Sequence, residues 1–527
     1  MPTTQIPDTG RTLATPHPRG LAPSAPLTTW VYVLAVVATL VHVLFNRQYG
    51  YFRDELYYAA CGQYPAWGYL DHAPLVAWIA HATRATLGDS LAALRFLPAL
   101  SAAAKVWLAG WMAREMGGWK FAQILAAVAT LTAPIYLTFD NFLSMNAFEP
   151  VLWMACAAVA LRILNGGDQR LWLLFGAFAG LGLLNKHSML FFASGIIVGL
   201  CLTPARRELC SRWFWLGAMI ALALFLPNLL WELREGWPTI ALLRHVVGGK
   251  YATVSPWDYI WQQTLLTLPL SAPIWIGGLW FLLRDPQGKR YAVLAWTYLV
   301  VLTEMLALHG KIYYLAPAYI MLLAAGAVWM ERFAWIRRVR WARPAIFAAL
   351  VLAGIIAAPL AMPILPVEHL IRYARFWDVE AIRVENVPQD DLPQLFGDMF
   401  GWQEQVAVVA SVYRELSPDE QRHAVILAYN YGEAGAIDYF GGRYGLPKAV
   451  SGHNQYGSWG PRRDTASVMI AIGFLEPFLR QFFGEVTAAA QVNPKYALPE
   501  ERNLTVYVCR EPKMTLAEAW PRLKYLN

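Results

Sequence analysis

Apolar residues are grouped along this chain in long runs separated by short polar breaks. A hydrocarbon layer of about 30 Å takes about 20 residues of helix to cross. Runs of that order fall at 29–47, 91–113, 119–137, 146–164, 171–184, 189–203, 213–230, 259–283, 291–308, 313–330 and 345–365. The pattern predicts eleven spanning helices, of which the fifth and sixth are short. Between the first two runs, APLVAWIAHATRATL (73–87) is apolar on one side but too short and too polar to cross. It predicts a helix lying in the membrane interface, as one wall of a lipid-facing cavity.

Beyond residue 365 the pattern changes. AVILAY (424–429), SVMIAIGF (467–474) and LTVYVC (504–509) predict buried strands, and 403–416, 433–440 and 475–489 carry helical patterning between them. Strands alternating with helices predict a small α/β domain over 366–527. Gly432-Glu433-Ala434-Gly435 is a weak glycine signal, better read as helix-start geometry than as a nucleotide loop. Residues 1–28, rich in Pro and Thr, predict a disordered tail. The run that follows lacks a small-residue cleavage site behind a basic segment and reads as an anchor. No internal repeat of the kind that marks many transporters is visible.

Composition agrees with the runs. The 527 residues are 57% hydrophobic and 15% charged, against about 45–50% and 25% in soluble domains. The expected fold class is an α-helical polytopic membrane protein with a core over 29–365, an outer first loop at 48–90, and a C-terminal extracytoplasmic α/β domain. A net charge of +7 would suit a nucleic-acid partner, but the distribution of the cations excludes that. The tail and the breaks at 114–120, 162–170, 204–213, 284–290 and 331–343 hold 17 Lys or Arg in 74 residues, whereas those at 48–90, 138–145, 185–188, 231–258 and 309–312 hold 7 in 87. By the positive-inside bias the first set is cytoplasmic. The acidic first loop then faces outward, and an odd number of spans puts 366–527 there too. The five cysteines show no metal-site spacing. Cys61 and Cys509 both fall on the outer side, where a disulfide between them could form.

The first outer loop, YFRDELYYAACGQYPAWGYLDHAPL (51–75), is the segment richest in chemistry. Asp54 and Glu55, being adjacent, project differently, so one can face a cavity while the other pairs with Arg53 or caps a helix. Asp54 is the candidate general base; the plain alternative is a solvated charge cluster of little energetic value. Asp71 and His72 close the same loop. Further on, Asp140, Asn141, Asn146 and Glu149 gather at a membrane boundary, with Asn146 and Glu149 on one helical face. Either a functional site or a structural polar cluster accounts for them. Lys186 and His187 sit in a four-residue turn after GLGLLN, where a cation can hold a phosphate or merely snorkel. Lys311 with Tyr313 and Tyr314 occupies another short turn, and Trp231, Glu232, Arg234 and Arg244 lie on a longer loop. Glu304 reads as pairing with another helix; Lys105, within the second run, has no assigned role.

Taken in order, the acidic pair after the first span, the aromatic and proline-rich loop, the lysine after GLGLLN and the KIYYLAP turn resemble the polyprenyl-phosphate-dependent glycosyltransferases of the GT-C fold, in the superfamily of protein O-mannosyltransferases and lipid A aminoarabinose transferases. The resemblance covers roughly 30–330. It implies inverting transfer of a sugar from a polyprenyl-phosphate donor to a protein, lipid A or cell-envelope glycan acceptor, on the outer face of a bacterial inner membrane. It implies Asp54 as the base with Glu55 beside it, Lys186 on the donor phosphate with His187, Lys311 and Arg234 in support, and Asp71, His72, Asn146, Glu149, Tyr313 and Tyr314 binding substrate. Some members carry Lys at the position of His72, and an acid at that of Asn146. No cofactor is required, because cations already stabilise the leaving phosphate, although two acids near a phosphate could recruit a divalent ion. The alternatives are a lipid-linked-sugar transporter or flippase, and a cell-envelope assembly protein.

Overall fold

A computed structural model describes residues 25–246, 255–377, 392–461 and 467–526. The expected disordered tail lies outside these, apart from residues 25–28. All eleven apolar runs are helical, yet they are not eleven equal rods. Among the described residues, six helices are long and apolar enough to cross a membrane: Leu91–Glu115, Met145–Leu164, Arg212–Arg234, Gly288–Ala307, Ile312–Arg332 and Ala342–Ala361. Three further apolar helices, Thr29–Phe45, Lys120–Leu131 and Leu171–Asn185, are shorter. Met189–Cys201 bends by 113° into Pro204–Cys210, and Pro256–Leu266 by 95° into Pro269–Arg284. The run at 259–283, expected as one helix, is therefore broken. Pro269 cannot donate the backbone hydrogen bond that would continue it, and Leu268 takes a positive φ of 74° at the break. The chain is a multi-pass membrane protein.

Burial sorts these helices. The segment Ala316–Val328 is buried throughout and forms the axis of the bundle. Arg212–Arg234 instead exposes Trp215, Met219, Leu222, Leu226 and Leu230, which is what a lipid-facing helix must do. Small residues set the closest approaches, as expected where dispersion rather than hydrophobic burial joins helices. Gly326 lies directly on the carbonyl of Ile274, and Gly278 on that of Leu322, leaving no room for a side chain at either. Gly326→Leu should cost on the order of 3 kcal/mol by forcing Ala272–Arg284 and Ala316–Arg332 apart. The expected result is loss of the monodisperse peak in detergent, with Gly442→Ala, which meets nothing within 4 Å, retaining it.

Two intramembrane charges find their partners here. Lys105 donates to Asp140 and to the Ala147 carbonyl (3.0 Å), and Ser101 also donates to Asp140, at 2.9 Å. Lys105 thus ties Phe96–Glu115 to the start of Met145–Leu164. Glu304 accepts from Ser194 of the neighbouring helix at 2.7 Å, in keeping with the expected interhelical pairing.

The C-terminal unit is built on a five-stranded sheet: β1 (Val425–Ala428), β2 (Ala449–Ser451), β3 (Val468–Ile472), β4 (Phe483–Val492) and β5 (Leu504–Pro512). The strand order is β2-β1-β3-β5-β4. β1 pairs in parallel with β2 and β3, whereas β5 runs antiparallel to β3 and β4. The stretch 475–489, expected as a helix, keeps one helical turn at Glu476–Leu479 and then extends into β4. Its alternate β4 residues face opposite sides at the sheet edge, and that edge setting outweighs the local helical preference of an alanine-rich segment.

Side chains alternate across the sheet, so it has two cores. On one side Leu427, Met469 and Cys509 pack with Trp520 and Leu523. On the other, Ile426, Ile470 and Val508 share a single core with Leu56, Tyr57, Cys61, Tyr69, Val76 and Ala80 of the first loop. Cys61 and Cys509 therefore sit in different cores and are free thiols, which removes the disulfide considered from sequence. The helix Leu75–Leu87, expected in the interface, buries Val76, Ala77 and Ala80 in this shared core. Gly432 and Gly435 acquire a specific purpose. A Cβ at Gly432 would stand 2.7 Å from Arg53 Cγ and from Trp402, and one at Gly435 would stand 3.0 Å from the Leu56 backbone. The glycines let Tyr431–Phe440 lie against Arg53–Cys61, capped by Asn430 and Glu433.

Candidate active site

The first loop enters its helix at Phe52, and the next two acids part company. Glu55 turns inward. It accepts from Arg95 Nε at 2.9 Å and Nη2 at 2.8 Å, and from the backbone N–H groups of Phe52 and Leu143, both at 2.9 Å. Both partners of this ion pair have 0% exposed side chains. Glu55, expected beside the base, has both oxygens engaged in fastening the loop to the second span. Asp54, one residue earlier and half-buried, accepts from Tyr431 Oη at 2.9 Å. Arg53 points away, donating to Asp398 at 2.8 Å and to Glu500 at 3.0 Å in the C-terminal unit.

At the other end of the loop, Asp71 accepts from Tyr57 Oη at 2.7 Å and from Asn454 Nδ2 at 2.9 Å. His72 is packed among Tyr57, Tyr58 and Tyr69, stacked on the last at 4.6 Å. Its Nδ1 meets the Ala73 carbonyl at 2.9 Å, while its buried Nε2 has no hydrogen-bond partner among the described residues. Burial holds the imidazole below its ordinary pKa, against the opposing pull of Asp71 and Asp54, so His72 is neutral near pH 7.

A second half of the cluster is built on spanning helices. Lys186, where Leu171–Asn185 ends, donates to Asn146 Oδ1 at 2.8 Å and Glu149 Oε2 at 2.9 Å. Its ammonium lies 4.4 Å from the ring centre of Tyr314 and 5.6 Å from that of Tyr313. Ser188 donates to the other oxygen of Glu149. Lys311 lies 5.9 Å from the Tyr313 ring. The sequence motifs from three separate stretches thus meet around one ammonium. With two of its three N–H donors committed, Lys186 keeps one for an anion. His187 bonds Asn228 Oδ1 at 3.0 Å, and Asn228 in turn donates to the Trp67 carbonyl at 2.7 Å. Trp231 covers Gly68, so the long lipid-facing helix clamps the tip of the first loop.

The two halves adjoin. Tyr58 packs edge-on against His72 at 5.0 Å and lies within electrostatic reach of Asp54, Asp71 and Tyr313, as His72 does of Asp54 and His187. Asp54, Asp71, His72, Lys186, His187, Tyr313 and Lys311 consequently line one neighbourhood. Arg234 does not join it. It is exposed at the end of Arg212–Arg234, and no contact links it to the cluster among the described residues. Glu232, on the same loop, is spent accepting from Thr239. No group of three His, Cys, Asp or Glu side chains is arranged to hold a metal among the described residues.

Sequence reasoning missed Tyr431, Asn454, Asn228 and Arg95. Arg95 stood inside an apolar run, and the other three are single polar residues without a motif.

The fold is that of the GT-C glycosyltransferases. The crystal structure of ArnT from Cupriavidus metallidurans bound to undecaprenyl phosphate superposes with a TM-score of 0.61 at 14% identity, over 91% of this chain and 98% of that one. The apo state of the same protein gives 0.60, at 13% identity, over 91% and 97%. A family model described as dolichyl-phosphate-mannose-protein mannosyltransferase matches residues 71–231, the stretch that carries Asp71, His72, Asn146, Glu149, Lys186 and His187. In sequence, the chain is 25% identical over 313 residues to the lipid A galacturonosyltransferase RgtD of Rhizobium johnstonii, a match taking in 55% of this chain and 62% of that relative's length.

Proposed function

We propose that this protein is a membrane glycosyltransferase that moves a sugar from a polyprenyl-phosphate donor to an acceptor hydroxyl at the outer face of a bacterial inner membrane. The observation that carries it is the Lys186 ammonium, held by Asn146 and Glu149 over Tyr314, in the same neighbourhood as Asp54. The ligand in the ArnT structure, undecaprenyl phosphate, is of the class such a site would take, and the name of the Rhizobium relative favours a lipid acceptor over a peptide.

In this reaction the acceptor oxygen attacks the anomeric carbon. The bond from that carbon to the phosphate oxygen breaks, its electron pair stays on the phosphate, and the acceptor proton passes to Asp54. Attack opposite the leaving group inverts the anomeric centre. Lys186 stabilises charge growing on the phosphate, with Lys311 beside it. In a partly dry pocket such fixed charge is worth far more than in water. His72, neutral with its Nδ1–H given to the Ala73 carbonyl, offers Nε2 as an acceptor for a sugar hydroxyl.

The test is incubation of the purified protein with labelled polyprenyl-phosphate sugars, sorting products by acceptor class. One donor should be consumed, yielding polyprenyl phosphate and a glycosylated lipid; if every donor is recovered intact, the proposal fails. Lys186→Ala should raise the donor KM by about tenfold or more, from loss of one charged hydrogen bond, and leave the acceptor KM near wild type. An unchanged donor KM would remove Lys186 from the phosphate.

A further inference from the structure

We propose that the C-terminal α/β unit completes the catalytic site, with Tyr431 as the positioning residue of the base. This deepens the glycosyltransferase reading and rests on Asp54 being its base.

Asp54 and Asp71 of the first loop are both gripped from the C-terminal unit. Tyr431 Oη donates to Asp54 at 2.9 Å, across 377 residues of chain, and Asn454 Nδ2 donates to Asp71 at 2.9 Å. The two grips are joined. Tyr57, which donates to Asp71, accepts from the Gln455 backbone N–H at 3.1 Å, and its ring lies 4.6 Å from that of Tyr431. Tyr431 is itself held rigidly. It follows the Asn430 cap, whose side chain accepts from the N–H groups of Gly432 (2.8 Å) and Glu433 (3.0 Å). Its own N–H meets His453 Nδ1 at 3.3 Å, and the two rings lie 4.8 Å apart. Arg53 is drawn to Asp398 and Glu500 of the same unit, so this cation is turned away from the base and the phenol takes its place as donor.

The chemistry follows from that substitution of partners. A salt bridge to Arg53 would engage the carboxylate of Asp54 strongly and blunt it as a base. The neutral Tyr431 hydroxyl fixes the oxygen it reaches and favours the ionised form moderately. Burial, reinforced by the charge of Asp54, pushes the Tyr431 phenol well above its ordinary range, so it stays a donor throughout. Tyr58, His72 and Asp398 also bear on Asp54.

The experiment uses the full-length protein in liposomes and follows release of undecaprenyl phosphate from the labelled sugar donor that wild type consumes, as a function of pH. Tyr431→Phe keeps the ring and its packing on Tyr57. It should lower kcat by about tenfold and move the acidic limb of the rate profile upward by about one pH unit, because the ionised carboxylate loses a donor, with donor KM unchanged. A wild-type kcat and acidic limb would overturn the inference. So would a lower kcat with an unmoved acidic limb, since that is what a merely structural tyrosine gives. Asp54→Asn run in parallel separates the two ideas. If it is inactive while Tyr431→Phe behaves as wild type, only the role of Tyr431 falls; if it remains active, the assignment of the base falls first.

Discussion

Asp54→Asn is expected to lower turnover by about a thousandfold while leaving yield and melting temperature near wild type, the scale of loss when a general base is removed. The asparagine is isosteric and can still accept from Tyr431, so the loop keeps its shape. What disappears is a group able to take the acceptor proton. Because Asp54 is half-buried and not part of the shared apolar core, no large stability term accompanies the change. Measuring kcat and the melting temperature on the same preparation separates chemistry from folding. A rate within a few-fold of wild type would assign the base elsewhere.

Glu55→Gln, one residue away, should do the opposite. Here the carboxylate is fully buried against Arg95 and also accepts two backbone N–H groups. Gln keeps the size but leaves the Arg95 guanidinium buried without a counter-charge. Breaking a buried pair in this way costs about 3–5 kcal/mol. The N–H groups of Phe52 and Leu143 lose their charged acceptor as well. A melting temperature lower by several degrees or more, with residual activity in the fraction that folds, is the expected pattern. A stable but inactive Glu55→Gln would return Glu55 to the chemistry. Adjacent acids thus differ because of what faces them: a phenol in one case and a desolvated guanidinium in the other.

The eleven apolar runs were legible because a helix that meets lipid must satisfy its own backbone and expose apolar side chains. The Lys186, Asn146 and Glu149 meeting was half-legible. Each residue stood out at the edge of a run, although only coordinates bring 146 and 149 to 186. The burial of Glu55 was not legible because its partner lay 40 residues on, hidden at the head of an apolar run. The stretch 475–489 was misread because its local patterning suggests helix, whereas pairing with β5 makes a strand from Phe483 onward. Nothing local marks Tyr431 or Asn454. Their importance arises from docking of two surfaces nearly 400 residues apart in sequence, permitted by Gly432 and Gly435.

These contacts also change how the C-terminal segment is understood. From sequence it was a separate outer domain of untransferable role. In the fold it shares one apolar core with the first loop and bonds Asp54 and Asp71, so loop and sheet act as a unit seated on the helical bundle.

The most direct measurement is native mass spectrometry of the purified protein titrated with undecaprenyl phosphate. Wild type and Arg234→Ala should bind one equivalent alike, whereas Lys186→Ala should bind at least about tenfold more weakly. Equal occupancy of wild type and Lys186→Ala, or no occupancy of either, would contradict a donor-phosphate site at this lysine.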